Sequence, residues 1–347
     1  METKVITITE KSDALALLPA AEILQKGGLV AFPTETVYGL GANGLDAEAA
    51  KAIYQAKGRP SDNPLILHVA DFAEIDKLAH DISATARKII ATFCPGPITI
   101  ILNRNRIVPD AVTGGLDTVG IRMPNHEIAR ELIRLAGVPL AAPSANTSGR
   151  PSPTTAQAVL ADLQGKIGAV VDNGSCKFGL ESTIVDCTSE VPTVLRPGAI
   201  TLEMLAAVVG EVKLDPALAG ENSIPKAPGM KYTHYAPKAP MIMLEGAKEK
   251  MVAGLLGQIE KAKAEGKKIG AVVSSETAKE LPVDVVIAVY GSREKMSEIA
   301  TNLYEALRKF DQTEVDVIFA EGTAEVGLGL AIMNRMHKAS GYRIINL

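Results

Sequence analysis

Short apolar runs of strand character alternate along this chain with segments of helical spacing, and this alternation most constrains the fold. Residues 98–103 (ITIILN) and 167–172 (IGAVVD) are rich in Ile and Val and predict buried strands. Residues 46–57 predict a helix with Asp46 as its N-cap, and residues 126–137 predict another that ends at Gly137. Regular alternation of this kind predicts the α/β class with a mixed sheet. A helix over residues 12–26, capped at Ser12, is also expected.

A proline-rich stretch interrupts the alternation. Residues 211–240 contain five prolines and show no sustained period, so we interpret them as a connector. Irregular segments of this length are also typical of lids and binding loops. The stretch separates a first domain, residues 1–210, from a second, residues 241–347, whose compact βα alternation predicts a smaller Rossmann-like domain.

Composition excludes several classes of protein. The chain has 347 residues, a net charge of -4 and no Trp, which disfavours a basic or aromatic platform for nucleic acids. Three cysteines without a CxxC pair and five scattered histidines predict neither a disulfide framework nor a protein-bound metal centre. The N-terminus lacks a signal-peptide core, and no run approaches the about 18 apolar residues of a membrane span. We therefore expect a cytoplasmic protein without a membrane partner.

The first candidate site loop is FPTETVYGLGANGLD, residues 32–46. It places the hydroxyls of Thr34, Thr36 and Tyr38 directly after a predicted buried strand. Ligands of α/β folds bind beyond the ends of strands, so this cluster favours a ligand loop. An ordinary glycine turn is the alternative.

The second is KGRPSDNPLILHV, residues 57–69. Lys57 and Arg59 combine a point charge with a guanidinium fork, which suits a phosphate chain, and Asn63 follows them. A solvated basic turn is the alternative. His68 lies in the strand that follows, either as an ordinary core histidine or as part of the same pocket.

Arg122 marks the third segment, LDTVGIRMPNH, because it interrupts an apolar strand. A buried guanidinium needs an anionic partner. From the sequence, that partner is either a core carboxylate or the carboxylate or phosphate of a ligand.

Three more polar segments follow predicted strands or precede turns. Residues 141–154 (AAPSANTSGRPSPT) carry small residues that let backbone N–H groups approach an anion, although a polar surface loop is the alternative. Residues 179–186 (GLESTIVD) contain Ser182, and residues 195–200 (LRPGAI) contain Arg196 before a Pro-Gly turn. The chain has no GxxxxGK[ST] loop, no GxSxG elbow and no HExxH helix, which excludes P-loop NTPases, α/β-hydrolases and zincins.

Taken in order, FPTETVYGLG, KGRPSDNPL, APSAN with SGRPSPT, ESTIVD and LRPGAI resemble the YrdC/Sua5 family of threonylcarbamoyl-AMP synthases. The connector PGMKYTHYAP (228–237) and the trailing domain resemble the two-domain Sua5 form, so the resemblance covers nearly the whole chain. It implies a YrdC-like twisted mixed sheet with flanking helices and a smaller C-terminal Rossmann-like domain.

The resemblance also implies an activity. The family condenses L-threonine, bicarbonate or CO₂, and ATP to threonylcarbamoyl-AMP and pyrophosphate, for N6-threonylcarbamoylation of adenosine 37 of tRNA by downstream transfer machinery. It implies Mg²⁺ bound with ATP and no catalytic nucleophile. Its L-threonine set maps onto Thr34, Thr36, His68, Arg122 and Ser182. Its ATP set maps onto Lys57, Arg59, Asn63, Thr118, Ala142, Ser144, Ser152, Arg196 and, as a lid, Tyr235.

Two other functions are weighed against this one. An RNA-binding module of the YrdC type is disfavoured by the acidic balance and the few aromatics, and direct tRNA binding stays open. Carbamoyl transfer of the hydrogenase-maturation type belongs to a longer protein with zinc-finger modules, for which this chain lacks the length and the cysteines.

Overall fold

The computed structural model describes residues 2–9, 14–219 and 234–347. The predicted cap at Ser12 lies outside these residues, and the helix that follows begins with a 3₁₀ turn over Ala14–Leu17. Contacts between residues divide the chain into two compact units. Unit 1 is Met1–Ser148, Ser152–Lys177 and Glu181–Lys231, and unit 2 is Gly149–Pro151, Phe178–Leu180 and Tyr232–Leu347.

Unit 1 is built on one large mixed sheet. Its strands are β1 (Lys4–Thr7), β2 (Val30–Phe32), β3 (Gly39–Asn43), β4 (Ile66–His68), β5 (Ala79–His80), β6 (Ile98–Arg104), β7 (Thr118–Arg122), β8 (Leu140–Ala141), β9 (Ala169–Asp172), β10 (Thr183–Asp186), β11 (Thr193–Arg196) and β12 (Lys213–Leu214). They lie in the order β1-β9-β2-β3-β8-β4-β7-β6-β10-β11-β12, and β5 pairs with β6. The sheet contains parallel pairs, such as β4 with β7, and antiparallel pairs, such as β6 with β7. The predicted mixed α/β sheet is therefore confirmed.

Helices flank this sheet. They are α1 (Leu18–Gln25), α2 (Ala47–Lys57), α3 (Phe72–Leu78), α4 (Ala84–Phe93), α5 (Asp110–Thr113), α6 (Glu127–Ala136), α7 (Ala156–Leu163) and α8 (Leu202–Val209). The burial pattern of α6 explains its place, because Ile128, Leu132 and Ala136 recur at helical spacing and pack in one core cluster with α1. No helix in the parts of the chain described here is long and apolar enough to cross a bilayer.

Helix α2 illustrates how the local sequence sets a boundary. Asp46 is its N-cap, as predicted, and the carboxylate accepts hydrogen bonds from the N–H groups of Glu48 (2.8 Å) and Ala49 (3.3 Å). Gly58 ends the helix in the left-handed conformation at φ 63°. These two caps place Lys57 at the last residue of the helix.

Two predictions about the strands around the site need correction. The glycine-rich part of residues 32–46 is predicted to be a loop, but β3 begins at Gly39 and pairs antiparallel with β2. A Cβ atom on Gly41 would lie 2.9 Å from the Phe32 ring, so this glycine serves close packing rather than a turn. The apolar run VPLAAP over residues 138–143 likewise predicts a longer strand than the two residues of β8.

Unit 2 contains a separate parallel sheet. Its strands are β13 (Met241–Glu245), β14 (Ile269–Ser274), β15 (Val286–Gly291), β16 (Val317–Glu321) and β17 (Ile344–Asn346), and its helices are α9 (Lys248–Ala264), α10 (Met296–Lys309) and α11 (Leu328–Ser340). The order is β15-β14-β16-β13-β17, and every pair is parallel. The βα alternation is Rossmann-like, as predicted, but β16 lies between β13 and β14, whereas the first two strands are neighbours in the Rossmann order.

Unit 2 also holds two short segments from the middle of the sequence. Arg150 forms an ion pair with Asp311, and Arg308 donates a 2.5 Å hydrogen bond to the carbonyl of Pro151. Gly179 lies against α10, where a Cβ atom would come within 2.4 Å of the Thr301 carbonyl oxygen. The residues that follow these segments in the chain, Ser152 and Glu181, belong to unit 1.

We expect Asp46→Ala to destabilise α2 by about 1 kcal/mol, because two N–H groups lose their acceptor. Hydrogen–deuterium exchange of the peptide over residues 47–57 should then accelerate about fivefold. Asp46→Asn, which keeps an acceptor, is the matched control and should exchange at a rate close to wild type. Equal rates for all three proteins would contradict the capping role.

Candidate active site

Four neighbouring strands of unit 1 bring polar side chains together, among them the predicted site residues His68, Arg122 and Ser182. β4 and β7 are parallel neighbours, and their register pairs His68 with Arg122, so the two side chains project to the same side. On the next strands, the hydroxyl of Thr99 in β6 lies 2.7 Å from that of Ser182, directly before β10. Thr99 was not among the predicted site residues.

Arg122 has a carboxylate partner inside the protein. Its Nη2 lies 2.9 Å from Oε1 of Glu35, and both side chains are only 5% exposed. Nη2 also donates a 3.4 Å hydrogen bond to Oγ1 of Thr34. Of the two partners left open for Arg122, the structure supplies the core carboxylate. Glu35 was missed by the sequence reasoning, although it stands between two predicted site threonines and the buried arginine required an anion.

The threonines on either side of Glu35 form a tight turn. Oγ1 of Thr34 donates to the carbonyl of Val37 (2.7 Å) and accepts from the backbone N–H of Thr36 (3.1 Å). The two threonine hydroxyls lie 2.9 Å apart. The turn is therefore shaped by hydroxyl groups and not by glycines, and it presents Glu35 to Arg122.

His68 is a neutral histidine in this setting. Its ring packs edge-on against Phe32, and its Nδ1 lies 3.2 Å from the carbonyl oxygen of Ile66. Burial, and then the positive charge of Arg122, lower the pKa of His68 to about 3. Burial likewise lowers the pKa of His126 below its usual value. Positive charge at this point of the sheet therefore comes from Arg122 and not from the histidines.

Arg196 shapes the segment that carries Ser182. Its Nε and Nη2 donate to the backbone carbonyl of Ser182 at 3.1 and 2.9 Å, and Nη2 also reaches the Ser182 hydroxyl at 3.2 Å. Arg196 was predicted to contact ATP, and these bonds give it a structural role at Ser182 as well.

Lys57 lies beneath the loop that carries Ser144. The side chain is only 2% exposed, and Nζ donates to the carbonyl of Ser144 at 2.5 Å and to the carbonyl of Asn146. Within the loop, the Ser144 hydroxyl donates to Oδ1 of Asn146 at 2.5 Å. The ammonium group thus holds the loop in shape, a role that the sequence reasoning did not assign to Lys57.

The remaining predicted ATP residues of unit 1 sit around the same strands. Arg59 donates to the carbonyls of Asn63 (3.3 Å) and Pro64 (3.1 Å), which fixes the bend before β4. Thr118 is the first residue of β7. The N–H of Ala142 donates to the carbonyl of Ile66 at 2.9 Å, so this N–H is already bonded within the protein.

Ser152 has a buried acidic partner. Its hydroxyl donates a 2.6 Å hydrogen bond to Oε1 of Glu181, which the sequence reasoning also passed over. Backbone bonds join this segment to the others, because the N–H of Tyr38 donates to Pro153 at 2.9 Å and that of Ala145 donates to Tyr38 at 2.8 Å. The threonine turn, the Ser144 loop and the Ser152 segment therefore lie side by side.

Tyr235 belongs to unit 2. Its ring stacks on Tyr304 with centroids 5.3 Å apart, the side chain is 4% exposed, and its φ of 65° is in the left-handed region. Such a backbone angle is strained for a tyrosine and points to a specific requirement at this position. Its action as a lid stays a prediction.

Two of the cysteines are poor nucleophiles. Burial raises the pKa of Cys94 and of Cys187 to about 12, so each remains a thiol at neutral pH. Elsewhere, in unit 2, Glu245, Glu325 and His337 bring three metal-ligand atoms within 4.8 Å of one another. In that group Nε2 of His337 lies 2.6 Å from Glu245, an ordinary hydrogen-bonded pair.

The fold and the site define a two-unit α/β protein whose mixed sheet carries a buried Arg–Glu pair among hydroxyl-rich loops. A family model described as "Telomere recombination", of the Sua5/YciO/YrdC type, matches residues 22–198. A second model, "Threonylcarbamoyl-AMP synthase, C-terminal domain", matches residues 200–341. The chain belongs to the two-domain Sua5 family of threonylcarbamoyl-AMP synthases.

Individual relatives cover both units. The chain is similar to the threonylcarbamoyl-AMP synthase of Pyrococcus abyssi, with 49% identity over 99% of this chain and 100% of that protein. It is similar to the enzyme of the same name from Bacillus subtilis, with 47% identity over 94% of this chain and 93% of that one. The crystal structure of P. abyssi Sua5 complexed with L-threonine matches with a TM-score of 0.95 and 49% identity over 99% and 100% of the two chains.

The neutral His68 makes a testable contribution to stability at acidic pH. The pKa of His68 falls from 6.5 to about 3 on folding. Between pH 6.5 and pH 3 the histidine is therefore protonated in the unfolded state and neutral in the folded state. As pH falls below 6.5, wild type should lose unfolding free energy relative to His68→Gln by about 1.4 kcal/mol per pH unit. Pulse-labelling hydrogen exchange across urea series at pH 7, 6 and 5, read on peptides of β4 and β7, measures this loss. If the unfolding free energies of wild type and His68→Gln change with pH in parallel, His68 is not buried as a neutral ring.

Proposed function

We propose that this chain is an L-threonylcarbamoyladenylate synthase that condenses L-threonine, bicarbonate or CO₂, and ATP, and releases pyrophosphate. In this reaction it acts as a nucleotidyltransferase. The observation that carries the proposal is the similarity at 49% identity to an enzyme of that name over essentially both full lengths. The product would serve tRNA threonylcarbamoylation through partner proteins in the cytoplasm.

The threonine end of the proposed site is the sheet face around Arg122. A guanidinium matches a carboxylate through paired hydrogen bonds, and the Nε of Arg122 has no hydrogen-bond partner among the described residues. Thr34, Thr36 and Ser182 offer hydroxyls, and neutral His68 adds polarity without charge. The similar P. abyssi Sua5 crystallised as a complex with L-threonine, which supports an amino acid here.

The nucleotide end of the proposed site is formed by the basic and hydroxyl-rich loops. Lys57 and Arg196 hold backbone segments in fixed shapes, so that groups next to them are oriented before the ligand arrives. We assign ATP, together with its Mg²⁺, to the residues Lys57, Arg59, Asn63, Thr118, Ala142, Ser144, Ser152, Arg196 and Tyr235.

The chemistry requires orientation more than a protein nucleophile. The amine of threonine forms a carbamate with bicarbonate or CO₂, and a carbamate oxygen then attacks the α-phosphorus of ATP while pyrophosphate leaves. Such steps are accelerated by alignment and by neutralising the charge on the phosphates. The carbamate is labile in water, so a lid formed by Tyr235 would protect it.

Incubation of the full-length protein with ATP, Mg²⁺, bicarbonate and L-threonine should release pyrophosphate only when all components are present. The assay follows pyrophosphate, with mass spectrometry of the threonylcarbamoyl-AMP product. Release that is independent of threonine or of bicarbonate would overturn the proposal.

Arg122→Ala should raise the KM for threonine about ten- to hundredfold, because a charge-assisted contact to the carboxylate is lost. The KM for ATP should change much less, since Arg122 is assigned to the amino acid. Arg87→Ala, which removes an exposed arginine paired with Asp76, is the matched control and should behave as wild type. Equal effects on the two KM values would show that Arg122 is misassigned.

A further inference from the structure

The carboxylate of Glu35 is buried and lacks directed hydrogen bonds. Its side chain is 5% exposed, and among the described residues neither oxygen has a hydrogen-bond partner. The 2.9 Å approach of Oε1 to Arg122 is a charge contact outside hydrogen-bond alignment. Buried carboxylates normally accept several hydrogen bonds, because desolvation without them is costly. The open acceptors of Glu35 therefore point to a donor that arrives with the ligand.

Glu35 and Arg122 together match one kind of ligand. Both have unpartnered buried atoms, the two oxygens on Glu35 and Nε on Arg122. An α-amino acid carries an ammonium and a carboxylate on the same carbon, so it can bind both residues of the pair at once. An ammonium supplies the hydrogen-bond donors that Glu35 lacks, and a carboxylate supplies the acceptor that Nε lacks.

In the parts of the chain that the structure describes, none of the other titratable groups near Glu35 is a cation that could be the missing hydrogen-bond donor. Cys94, His126 and His68 lie near the pair. Burial raises the pKa of Cys94 to about 12 and lowers the pKa of both histidines, so all three are neutral between pH 7 and 9.5. Between pH 7 and 9.5, the charge beside Glu35 therefore changes when the amine of the bound substrate loses its proton.

We propose that Glu35 binds the α-ammonium group of L-threonine and accepts one of its protons when the carbamate forms. This inference rests on the proposed function. The N–C bond forms to bicarbonate, and its C–OH bond breaks. The departing hydroxide leaves as water with one ammonium proton, and the second proton passes to the Glu35 carboxylate. Threonine nitrogen keeps one hydrogen as the carbamate N–H, so atoms and charges balance.

The test compares Glu35→Gln, Glu35→Asp and the surface control Glu48→Gln with wild type. Glu48 is exposed in the first turn of α2 and pairs only with Lys51 among the contacts described, so the control makes the same chemical change away from the site. At pH 7 we expect Glu35→Gln to raise the KM for threonine at least tenfold, while equilibrium ATP binding stays within twofold of wild type. Glu35→Asp, which keeps the charge, should recover part of the loss.

The pH profile separates a proton-accepting role from a structural one. The ratio of wild-type to Glu35→Gln kcat/KM for threonine should fall at least fivefold between pH 7 and 9.5, because free amine then replaces the ammonium form. A ratio that does not change with pH would mean that Glu35 only orients Arg122. A wild-type KM for threonine in Glu35→Gln would also overturn the inference.

A measurement on wild type does not depend on folding of the variants. The analogue 2,3-dihydroxybutanoate carries a hydroxyl in place of the ammonium group. Its affinity for the threonine site, measured by competition, should be at least tenfold lower than the affinity of L-threonine. Equal affinity would overturn the inference. If wild type binds L-threonine but releases no threonine-dependent pyrophosphate, the proposed function fails, while these binding measurements still decide whether the site recognises the ammonium group.

Discussion

The site of unit 1 depends on one buried ion pair. Arg122 enters the sheet face from β7, and Glu35 comes from the turn after β2, so two parts of the chain far apart in sequence meet at 2.9 Å. A buried charge without its partner is strongly destabilising, so each residue specifies the position of the other. The threonine turn, held by the hydroxyl of Thr34, is thereby attached to β7 through Arg122.

Around this pair, cationic side chains organise the backbone of the site loops. Lys57 donates to two carbonyls of the Ser144 loop, and Arg196 donates to the carbonyl of Ser182. The sequence predicts both residues as ATP contacts. Here their contacts also fix loop shape, which is the kind of preorganisation that orientation-limited chemistry uses.

The second unit contributes more than an independent parallel sheet. It includes residues 149–151 and 178–180, held by the Arg150–Asp311 ion pair, the Arg308–Pro151 hydrogen bond and the close approach of Gly179 to α10. Ser152 and Glu181, which follow these segments, form a buried 2.6 Å hydrogen bond in unit 1. Ser152 and Glu181 are thus joined by peptide bonds to segments that belong to unit 2.

The sequence by itself determined the α/β class, the cap at Asp46 and the motifs that identify the family, because these depend on local spacing and residue type. The sequence also predicted that Arg122 is a buried cation, but it did not identify the anion that pairs with it. Only the tertiary structure showed that Glu35 is that partner, that Glu181 meets Ser152, and that Gly39 begins a strand. Each of these depends on strand register and on contacts between distant segments. Propensity and periodicity describe neighbours along the chain, whereas burial and charge pairing are decided by neighbours in space.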